Sequence, residues 1–414
     1  MILLKSRYVV PVEAPVIEEG AVLIRDGRIE AVGRARELRA AQEIDYGDAV
    51  ICPGFVNAHT HLELTGLAGK APPTGDFADW LRRLMAISRA DLTTKEQVQQ
   101  AVDEGLQQSL ASGVTTVADI TSHPAWTRPI LADSPIRAVS FGEVIAIGAV
   151  RDRLKERLDA ASSSEHATDR LRIGISPHAP YTVEPKAMRA CAERAATIHA
   201  PVCIHLAETA DEETFTLRRE GVFADHLRRL NVWDESIPVP GVRPVDLALG
   251  TGLLGPATVV AHANYVTDED IHKLASSGAA VAYCPRTHHA FAHPPHRFRE
   301  MLASGIRVCL GTDSLASNPS LSILDEIRFL RREHPDVSSD TLLAMGTLHG
   351  ARALGLDPIV GSLRVGKWAD LVVVPIAGAG RPGRWDRMLE TTDPPRAVYI
   401  AGSLQAASAN PPAS

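Results

Sequence analysis

The chain has few cysteines and no long apolar run. Its 414 residues include five cysteines, and none of them forms a CxxC pair. Because disulfide frameworks are typical of small secreted domains, we expect these thiols to be buried and reduced, as in a cytoplasmic protein. Lys5 and Arg7 interrupt the N-terminal segment too early for a signal sequence, and no run approaches the length of a membrane span. We therefore expect a soluble protein with no membrane partner.

Basic charge is also scarce. The chain has 43 Lys and Arg against 50 Asp and Glu, which gives a formal net charge of −7. No basic stripe is present that could neutralise a phosphate backbone, so nucleic acid is excluded as an expected partner. With 45% hydrophobic and 22% charged residues the composition is that of a globular protein. A chain of this length suits one large barrel with an accessory domain.

Short apolar runs alternate with helical stretches through the middle of the chain. This alternation is typical of βαβ units and a parallel sheet. Eight such runs predict an α/β fold, a (β/α)8 TIM barrel over residues 53–359. The runs are 49–58, 113–120, 136–147, 171–176, 201–206, 258–263, 279–284 and 306–311. Helical periodicity predicts helices over 94–112, 184–199 and 320–332.

Both ends of the chain alternate apolar and polar residues around turn signals. Asp26-Gly27 separates two such segments, and a similar pattern returns after Gly361. We expect residues 1–52 and 360–414 to pair into one composite β-sandwich. The tail from Gln405 is rich in Ala, Ser, Asn and Pro, so we expect it to be frayed.

Residues that can bind a metal follow several of the apolar runs. In a (β/α)8 barrel the active site lies at the carboxyl ends of the strands. His59 and His61 follow the first run, His205 ends the fifth and Asp313 follows the eighth. Side chains at i and i+2 of a strand point the same way, so His59 and His61 can bind one ion. The set predicts one divalent metal that activates water: zinc, with iron or manganese as alternatives.

Two further residues at strand ends can handle protons. Glu208 lies three residues beyond His205, where the chain leaves the strand and can turn the carboxyl group over the metal. His262 ends the sixth run and can orient the attacking water by a hydrogen bond. An isolated Glu or His of this kind is ordinarily a surface or loop residue. We assign no site role to His123, His166, His199, His226, His272, His334 and His349.

Together these motifs resemble the amidohydrolase superfamily, over nearly the whole chain. No lysine follows the fourth run, and this departure from the dinuclear members implies a single metal. Within the superfamily the chain resembles the branch that deaminates aromatic nitrogen rings, which includes deaminases of S-adenosylhomocysteine, methylthioadenosine and aminofutalosine, guanine deaminase and triazine hydrolases. The motifs are Pro53–Leu62, His205-Leu-Ala-Glu208, Ala-His262-Ala-Asn, Gly311-Thr-Asp313-Ser and Ser176-Pro-His178.

The resemblance implies hydrolytic deamination of a nitrogen heterocycle, with release of ammonia. In that reaction Asp313 takes the proton of the attacking water and Glu208 protonates the ring nitrogen. His178 is implied to contact the substrate, with packing under Tyr181 as the structural alternative. The Phe-Ala-Asp-Trp80-Leu stretch and the run after Asp313 resemble aminofutalosine deaminases most.

Two more residues are candidates for substrate contact. Trp80 falls on the segment that would cap the pocket and could stack on a planar substrate, although helix packing is an equal expectation. Glu143, near the end of the third run, is a candidate for binding a ribose hydroxyl. The expected partner is therefore a small molecule, a heterocycle or a nucleoside. A homodimer is the default expectation for such a barrel.

The segment after the seventh run departs from the deaminase pattern. That branch usually has Ser-Asn here, whereas this chain reads Cys284-Pro-Arg-Thr-His288-His289. His288, His289, His293 and His296 lack regular ligand spacing, so we expect them at the pocket wall or facing solvent rather than at a second metal. The departure leaves two alternatives open. One is a hydrolase of cyclic amides or chloro-triazines, and the other is a metal-binding barrel without catalysis.

Overall fold

The structure is a computed structural model that describes residues 1–73, 76–376 and 384–407. Its strands are β1 Ile2–Val9, β2 Ile17–Arg25, β3 Arg28–Arg34, β4 Gln42–Asp45, β5 Ala49–Pro53, β6 Phe55–Thr60, β7 Val114–Thr121, β8 Arg137–Val144, β9 Leu171–Pro177, β10 Val202–Leu206, β11 Thr258–His262, β12 Ala280–Tyr283, β13 Val308–Leu310, β14 Leu371–Pro375, β15 Ala397–Ile400 and β16 Ser403–Ala407.

The helices lie mostly between the strands of the barrel. They are α1 Phe77–Asp91, α2 Lys95–Ala111, α3 Pro124–Asp133, α4 Leu154–Ser162, α5 Pro185–Ile198, α6 Ala210–Arg218, α7 Val222–Arg229, α8 Pro244–Gly250, α9 Asp268–Ser277, α10 Pro285–Ala290, α11 Phe298–Ala303, α12 Ile323–Glu333, α13 Ser339–Met345 and α14 Leu348–Ala353. Short 3-10 turns cover Ala35–Glu37, Leu62–Leu67, Gly148–Arg153 and Trp385–Leu389. Of these helices, none has both the length and the apolar character needed to cross a membrane.

Strands β6 to β13 form the predicted barrel. They are hydrogen-bonded to one another in chain order, and the neighbouring pairs are parallel. A parallel bridge between Thr60 and Asp313 brings the first and last strands together. Every residue of β6, β7 and β8 is buried, because helices cover the strands. Burial on both faces explains why the sequence shows continuous apolar runs here.

The first apolar run is divided between two sheets. Residues 49–53 form β5 of the accessory sheet, and only Phe55–Thr60 belongs to the barrel. Gly54 joins them, and a Cβ atom at this position would lie 2.2 Å from Thr115 Oγ1. Glycine therefore allows the chain to pass directly from one sheet to the other. The expectation of one barrel strand over 49–58 was wrong in this respect.

The strands of both chain ends form one sheet, in the order β16-β15-β14-β5-β1-β2-β3, with β4 beside β1. The two ends meet where β5 runs antiparallel to β14. Cys52 and Val372 pack into the core shared with the barrel, whereas Ile51 and Val373 pack into the core of the sheet itself. The boundaries 1–52, 53–359 and 360–414 stay a prediction. Gln405, expected in a frayed tail, lies in β16, and residues 408–414 of that tail lie outside the described residues.

The predicted helices are present with defined ends. Helix α2 begins after Thr94, whose side chain accepts from the backbone N–H of Gln97 while the Gln97 side chain accepts from Thr94 N–H, a reciprocal cap. Ser322 caps α12 in the same position by accepting from Asp325 N–H. Glu184 and His199 flank α5. These caps fix where the barrel helices begin, and so fix the loops above the strand ends.

Candidate active site

Three histidines converge at the carboxyl end of the barrel. His59 lies in β6, His61 directly follows that strand, and His205 lies in β10. Potential ligand atoms of all three lie within 4.8 Å of one another. The Nε2 atoms of His61 and His205 are 3.2 Å apart, and the ring centroid of His59 is 5.0 Å from that of His61. The sequence prediction that these three residues would come together is therefore matched by their positions.

The protonation of these rings suits metal binding. Burial lowers the pKa of His205 to about 4 and lowers the pKa values of His59 and His61 well below the usual histidine range, so the rings are neutral near pH 7. Nδ1 of His205 lies 2.9 Å from the carbonyl oxygen of His178. A proton on Nδ1 donates to that oxygen and leaves the Nε2 lone pair facing the site.

An unpaired buried nitrogen supports the same assignment. Nε2 of His59 is buried, and no hydrogen-bond partner lies near it among the described residues. Buried polar atoms ordinarily have partners, because an unpaired one costs free energy. A cation that accepts the nitrogen lone pair would provide that partner.

Asp313 adds an oxygen donor to the three nitrogens. Its Oδ1 is 3.6 Å from His61 Nε2, and its Oδ2 accepts a hydrogen bond of 2.9 Å from Ser317 Oγ. Burial raises the pKa of Asp313 to about 6. The backbone N–H of Asp313 donates to the carbonyl oxygen of His59 at 3.0 Å, which holds the two strand ends together. Three imidazoles and one carboxylate are a combination of donors that a divalent metal accepts.

Glu208 and His262 form a pair beside these donors. His262 Nε2 lies 3.4 Å from Glu208 Oε1, and both side chains are buried. Burial, followed by the charges of Asp313 and Glu212, raises the pKa of Glu208 well above its usual range. A carboxyl group in that environment holds its proton near neutral pH and can act as a general acid.

Backbone contacts fix the turn that carries Glu208. The carboxylate of Glu212 accepts from the backbone N–H groups of Ala207 and Glu208, at 2.8 Å and 3.0 Å. Asn264 Nδ2 donates to the carbonyl oxygen of Glu208 at 3.1 Å. Ala207 and His262 have positive φ values of 52° and 75°, which surrounding contacts must hold in non-glycine residues. The position of the acid is therefore set by a network and not by strand geometry alone.

Two histidines of the segment after β12, His288 and His296, contact Asn264 and His262 rather than the cavity. His288 Nδ1 is 3.0 Å from Asn264 Oδ1, and His288 Nε2 is 2.9 Å from the carbonyl oxygen of Pro294. His296 Nε2 is 2.8 Å from the carbonyl oxygen of His262. Neither ring lines the cavity, so the expectation of a pocket wall is wrong for both. His288 is buried, His296 is partly exposed and His289 is exposed. In the part of the chain that is described, His59, His61 and His205 are the one His-rich group whose geometry suits a metal.

A cavity of about 280 Å³ opens over the histidines. Glu143 and His178 line it, as the sequence predicted, and Glu143 Oε1 is 3.9 Å from His178 Nε2. Ser122 Oγ donates to Glu143 Oε2 at 2.7 Å, and the backbone N–H of Ser122 donates to Glu63 Oε1 at 3.0 Å. Burial raises the pKa of Glu143. The wall of the cavity that is formed by Glu143, His178 and Ser122 therefore offers oxygen acceptors to a ligand.

The ring of His178 is oriented by Thr182. His178 Nδ1 is 2.6 Å from Thr182 Oγ1, and that hydroxyl donates to the carbonyl oxygen of Ala179 at 3.1 Å. Nδ1–H of His178 therefore donates to Thr182, and the Nε2 lone pair faces the cavity. Burial, then the charge of His226, lowers the pKa of His178 to about 4. The ring also packs edge-on against Tyr181 at 5.7 Å, so cavity exposure and packing coexist.

Trp80 combines the two expected environments, contact with the cavity and packing against neighbouring rings. It lines the cavity, yet only 5% of its surface is exposed, and its ring packs against Phe77 and Phe291. The indole N–H donates to the carbonyl oxygen of Ala71 at 2.8 Å. With that donor used, the indole can offer a ligand only its apolar surface.

Among the lining residues that sequence reasoning missed are three polar ones on one side of the cavity: Glu63, Ser122 and His123. His123 had been assigned no site role, and its place in the cavity lining corrects that assignment. A signal was available, since Glu63 continues the i+2 spacing of His59 and His61, and Ser122 directly follows β7.

The sequence profile of the amidohydrolase family matches residues 50–402. The chain belongs to the amidohydrolase family. A bacterial imidazolonepropionase-like composite domain also matches residues 20–42, within the accessory sheet. Membership confirms the predicted superfamily and its barrel, and it confirms a hydrolase of carbon–nitrogen bonds.

Among similar proteins, a 5-methylthioadenosine/S-adenosylhomocysteine deaminase of Moorella thermoacetica is 33% identical over 389 residues, which cover 90% of this chain and 85% of that protein. An adenosine deaminase structure from Xanthomonas campestris with bound zinc has a TM-score of 0.82 and 26% identity, covering 97% of this chain and 92% of that one. The Helicobacter pylori aminofutalosine deaminase has a TM-score of 0.86 over 98% of this chain and 100% of its own, and at 22% identity it supports the fold alone.

Proposed function

We propose that the chain is a metal-dependent deaminase of an adenine nucleoside derivative that releases ammonia. The observation that carries the proposal is the placement of the buried Glu208 carboxyl group, whose pKa burial raises, beside three converging imidazoles and Asp313. The names of the similar proteins point to the same reaction on adenine nucleosides. Aminofutalosine, S-adenosylhomocysteine and methylthioadenosine are the candidate substrates.

His59, His61, His205 and Asp313 are proposed to hold one divalent metal, with zinc as the first candidate. Their donor set of three nitrogens and one oxygen fits zinc, and the buried unpaired Nε2 of His59 fits a ligand role. When bound, such a metal lowers the pKa of a coordinated water to about 7 and supplies a nucleophile at neutral pH. Iron and manganese also accept this donor set.

The chemical roles follow from which groups hold protons. Glu208 gives its proton to the ring nitrogen next to the carbon that bears the amino group, and this makes that carbon electrophilic. Asp313 takes one proton from water as the water oxygen bonds to this carbon, and it passes the proton to the amino group. The carbon–nitrogen bond then breaks, ammonia leaves, and the remaining hydroxyl proton returns to Glu208. His262 contributes by a hydrogen bond that orients the attacking water.

The substrate is proposed to lie along the wall formed by Glu143, His178 and Ser122. The free carboxylate oxygen of Glu143 and the Nε2 lone pair of His178 both accept hydrogen bonds, so a ligand with neighbouring hydroxyl donors suits the space between them. A ribose diol has such donors. Trp80 then supplies an apolar surface to the planar base.

The test is ammonia release by zinc-loaded protein with adenosine, methylthioadenosine, S-adenosylhomocysteine, aminofutalosine, guanine, cytosine and triazines. We expect turnover of at least one adenine nucleoside, and we expect Glu208→Gln to lower kcat about 10²- to 10⁴-fold while metal content stays unchanged. Silence across the panel with metal bound would reject the deaminase in favour of cyclic amide or chloro-triazine hydrolysis. Equal activity of Glu208→Gln would reject the role of Glu208.

We propose the cytoplasm as the compartment and a homodimer as the assembly. All five cysteines are free and buried, which suits the reducing cytoplasm. A homodimer is the default assembly for such barrels.

A further inference from the structure

The carboxylate of Asp313 is held by a buried serine outside the cavity. Ser317 Oγ donates to Asp313 Oδ2 at 2.9 Å, whereas Asp313 Oδ1 lies on the side of His61, 3.6 Å from its Nε2. Ser317 is buried, and it is not among the described residues that line the cavity. Its hydroxyl group therefore contacts one oxygen of the carboxylate and leaves the other toward the imidazoles.

The hydroxyl proton of Ser317 has two acceptors within reach. Asp313 Oδ2 lies at 2.9 Å, and the carbonyl oxygen of Ser314 lies at 3.3 Å. The carboxylate is the nearer acceptor, and a hydrogen bond to an ionised group is stronger than one between neutral groups, so the proton is given to Asp313. Rotation of the carboxylate would break this bond. The bond thus selects the orientation in which Oδ1 faces the metal site.

Ser317 is itself held by the segment after β12. Thr287 Oγ1 lies 3.3 Å from Ser317 Oγ and 3.3 Å from the carbonyl oxygen of Thr312. Because Ser317 gives its own proton to Asp313, Thr287 is the donor when the two hydroxyl groups bond to each other. Thr287 is buried and belongs to the segment Cys284–His289, which departs from the deaminase pattern and, among the described residues, does not line the cavity. The segment therefore contacts the residue that orients Asp313.

A buried carboxylate joins the same two segments. Glu326, in α12, is fully buried and accepts from Arg286 Nε at 2.7 Å and from the backbone N–H of Arg286 at 2.9 Å. It also accepts from Asn318 Nδ2 at 2.8 Å. Thr287 follows Arg286 and Ser317 precedes Asn318, so each hydroxyl group stands next to a residue that Glu326 holds. This network fixes the distance between the two hydroxyl groups.

We propose that Ser317 is a positioning residue for Asp313, which keeps Oδ1 directed to the metal site, and that Thr287 holds Ser317 in place. This inference rests on the proposed metal role of Asp313 and assigns a function to the segment after β12. Ser317 touches neither the substrate nor the reacting atoms. Its loss weakens metal binding and lowers kcat, whereas KM is unchanged because the residues that line the cavity are intact.

The test measures metal binding directly as well as activity. The zinc Kd of the apoprotein is measured by competition with a chromophoric chelator, and cobalt-substituted protein is compared by its visible absorption bands, which respond to the ligands of the ion. We expect Ser317→Ala to raise the zinc Kd about 10- to 100-fold, and to lower kcat at saturating zinc by about tenfold with KM unchanged. The cobalt bands should shift. Ser317→Thr keeps the hydroxyl group and should recover most of the affinity.

Two further variants complete the experiment. Ser109→Ala is the matched control, because Ser109 is also fully buried and its hydroxyl group has no hydrogen-bond partner among the described residues. It should bind zinc and cobalt as the wild type does. Thr287→Val keeps the shape of the side chain and should raise the zinc Kd about threefold. If Ser317→Ala does not fold, as judged by circular dichroism, Thr287→Val decides the inference.

The outcomes separate this inference from the proposed function. A wild-type zinc Kd with unshifted cobalt bands in Ser317→Ala overturns the role of Ser317, and so does an equal loss in Ser109→Ala or a loss that Ser317→Thr does not reduce. A wild-type zinc Kd in Thr287→Val overturns the role of Thr287. Asp313→Ala should weaken zinc binding in every one of these cases. If it does not, Asp313 is no ligand and the proposed metal site fails.

Discussion

The molecule contains two groups of histidines in different surroundings. In the first group, His59, His61 and His205 converge, with Nε2 of His59 unpaired and the Nε2 atoms of His61 and His205 3.2 Å apart. In the second, both ring nitrogens of His288 lie against carbonyl oxygens, whereas His296 has one nitrogen against the carbonyl oxygen of His262 and one buried nitrogen without a partner, and no second ring shares a site with that nitrogen among the described residues. Both groups are buried enough to lower their pKa values. The difference teaches that a metal site is recognised by free lone pairs that converge, and not by the number of histidines.

The largest expected effect tests whether only the first group holds metal. His205→Ala should reduce bound zinc from about one per chain to none and lower ammonia release on the order of 10³-fold or more, because uncoordinated water is a poor nucleophile. His293 belongs to the same loop as the second group, and its Nδ1 lies 3.1 Å from the hydroxyl oxygen of Tyr265. His293→Ala should therefore retain both metal and activity. Metal content is measured by atomic emission on the purified variants. Loss of zinc from His293→Ala would contradict the expectation that only the first group holds metal.

The next largest expected effect is on the pH dependence of kcat/KM. Neither histidine group changes charge near neutral pH, since the pKa values of His288 and His296 are lowered to about 4 and about 3. The alkaline limb of kcat/KM is therefore expected from Glu208, whose raised pKa keeps the acid form below that pKa and loses it as the pH rises through it. The residual activity of Glu208→Gln, measured between pH 5 and 10, should lack this limb. An identical limb in the variant would contradict the assignment.

The smallest effect tests what the second group does. His288→Leu removes the contact with Asn264, whose amide donates to the carbonyl oxygen of Glu208. We expect kcat to fall about five- to tenfold with metal content unchanged, the size of one lost buried hydrogen bond. His288→Gln should recover part of the loss, since its amide can donate to Asn264. His289→Leu, at an exposed position, should match the wild type, and an equal loss there would deny the link through Asn264.

Local rules were sufficient to predict which candidate metal-binding and proton-transfer residues would come together at the carboxyl end of the barrel. His59, His61, His205 and Asp313 each stand at the end of an apolar run, and strand ends converge in a barrel whatever the loops do. The family profile confirmed the superfamily, and the strands confirmed the barrel. The roles of the individual residues stay predictions.

Other features could not be predicted because they depend on contacts between distant segments. Arg89, near the end of α1, lines the cavity because that helix lies over it, and nothing at its own position in the sequence indicates this. The position of His288 depends on Asn264, which follows a different strand. The division of the first run at Gly54 required the pairing of β5 with β14, from the opposite end of the chain.

That division makes the accessory sheet part of the support of the active site. Only Gly54 separates β5 from β6, and the backbone N–H of Gly54 donates to the carbonyl oxygen of Asp370 at 3.0 Å. The strand that carries His59 is thus anchored at its start by a residue near the C-terminus. A displacement of the terminal strands would be transmitted along β6 to the imidazole at its other end. Substitutions in the accessory sheet, far from the cavity, are therefore expected to change the position of His59 through this strand.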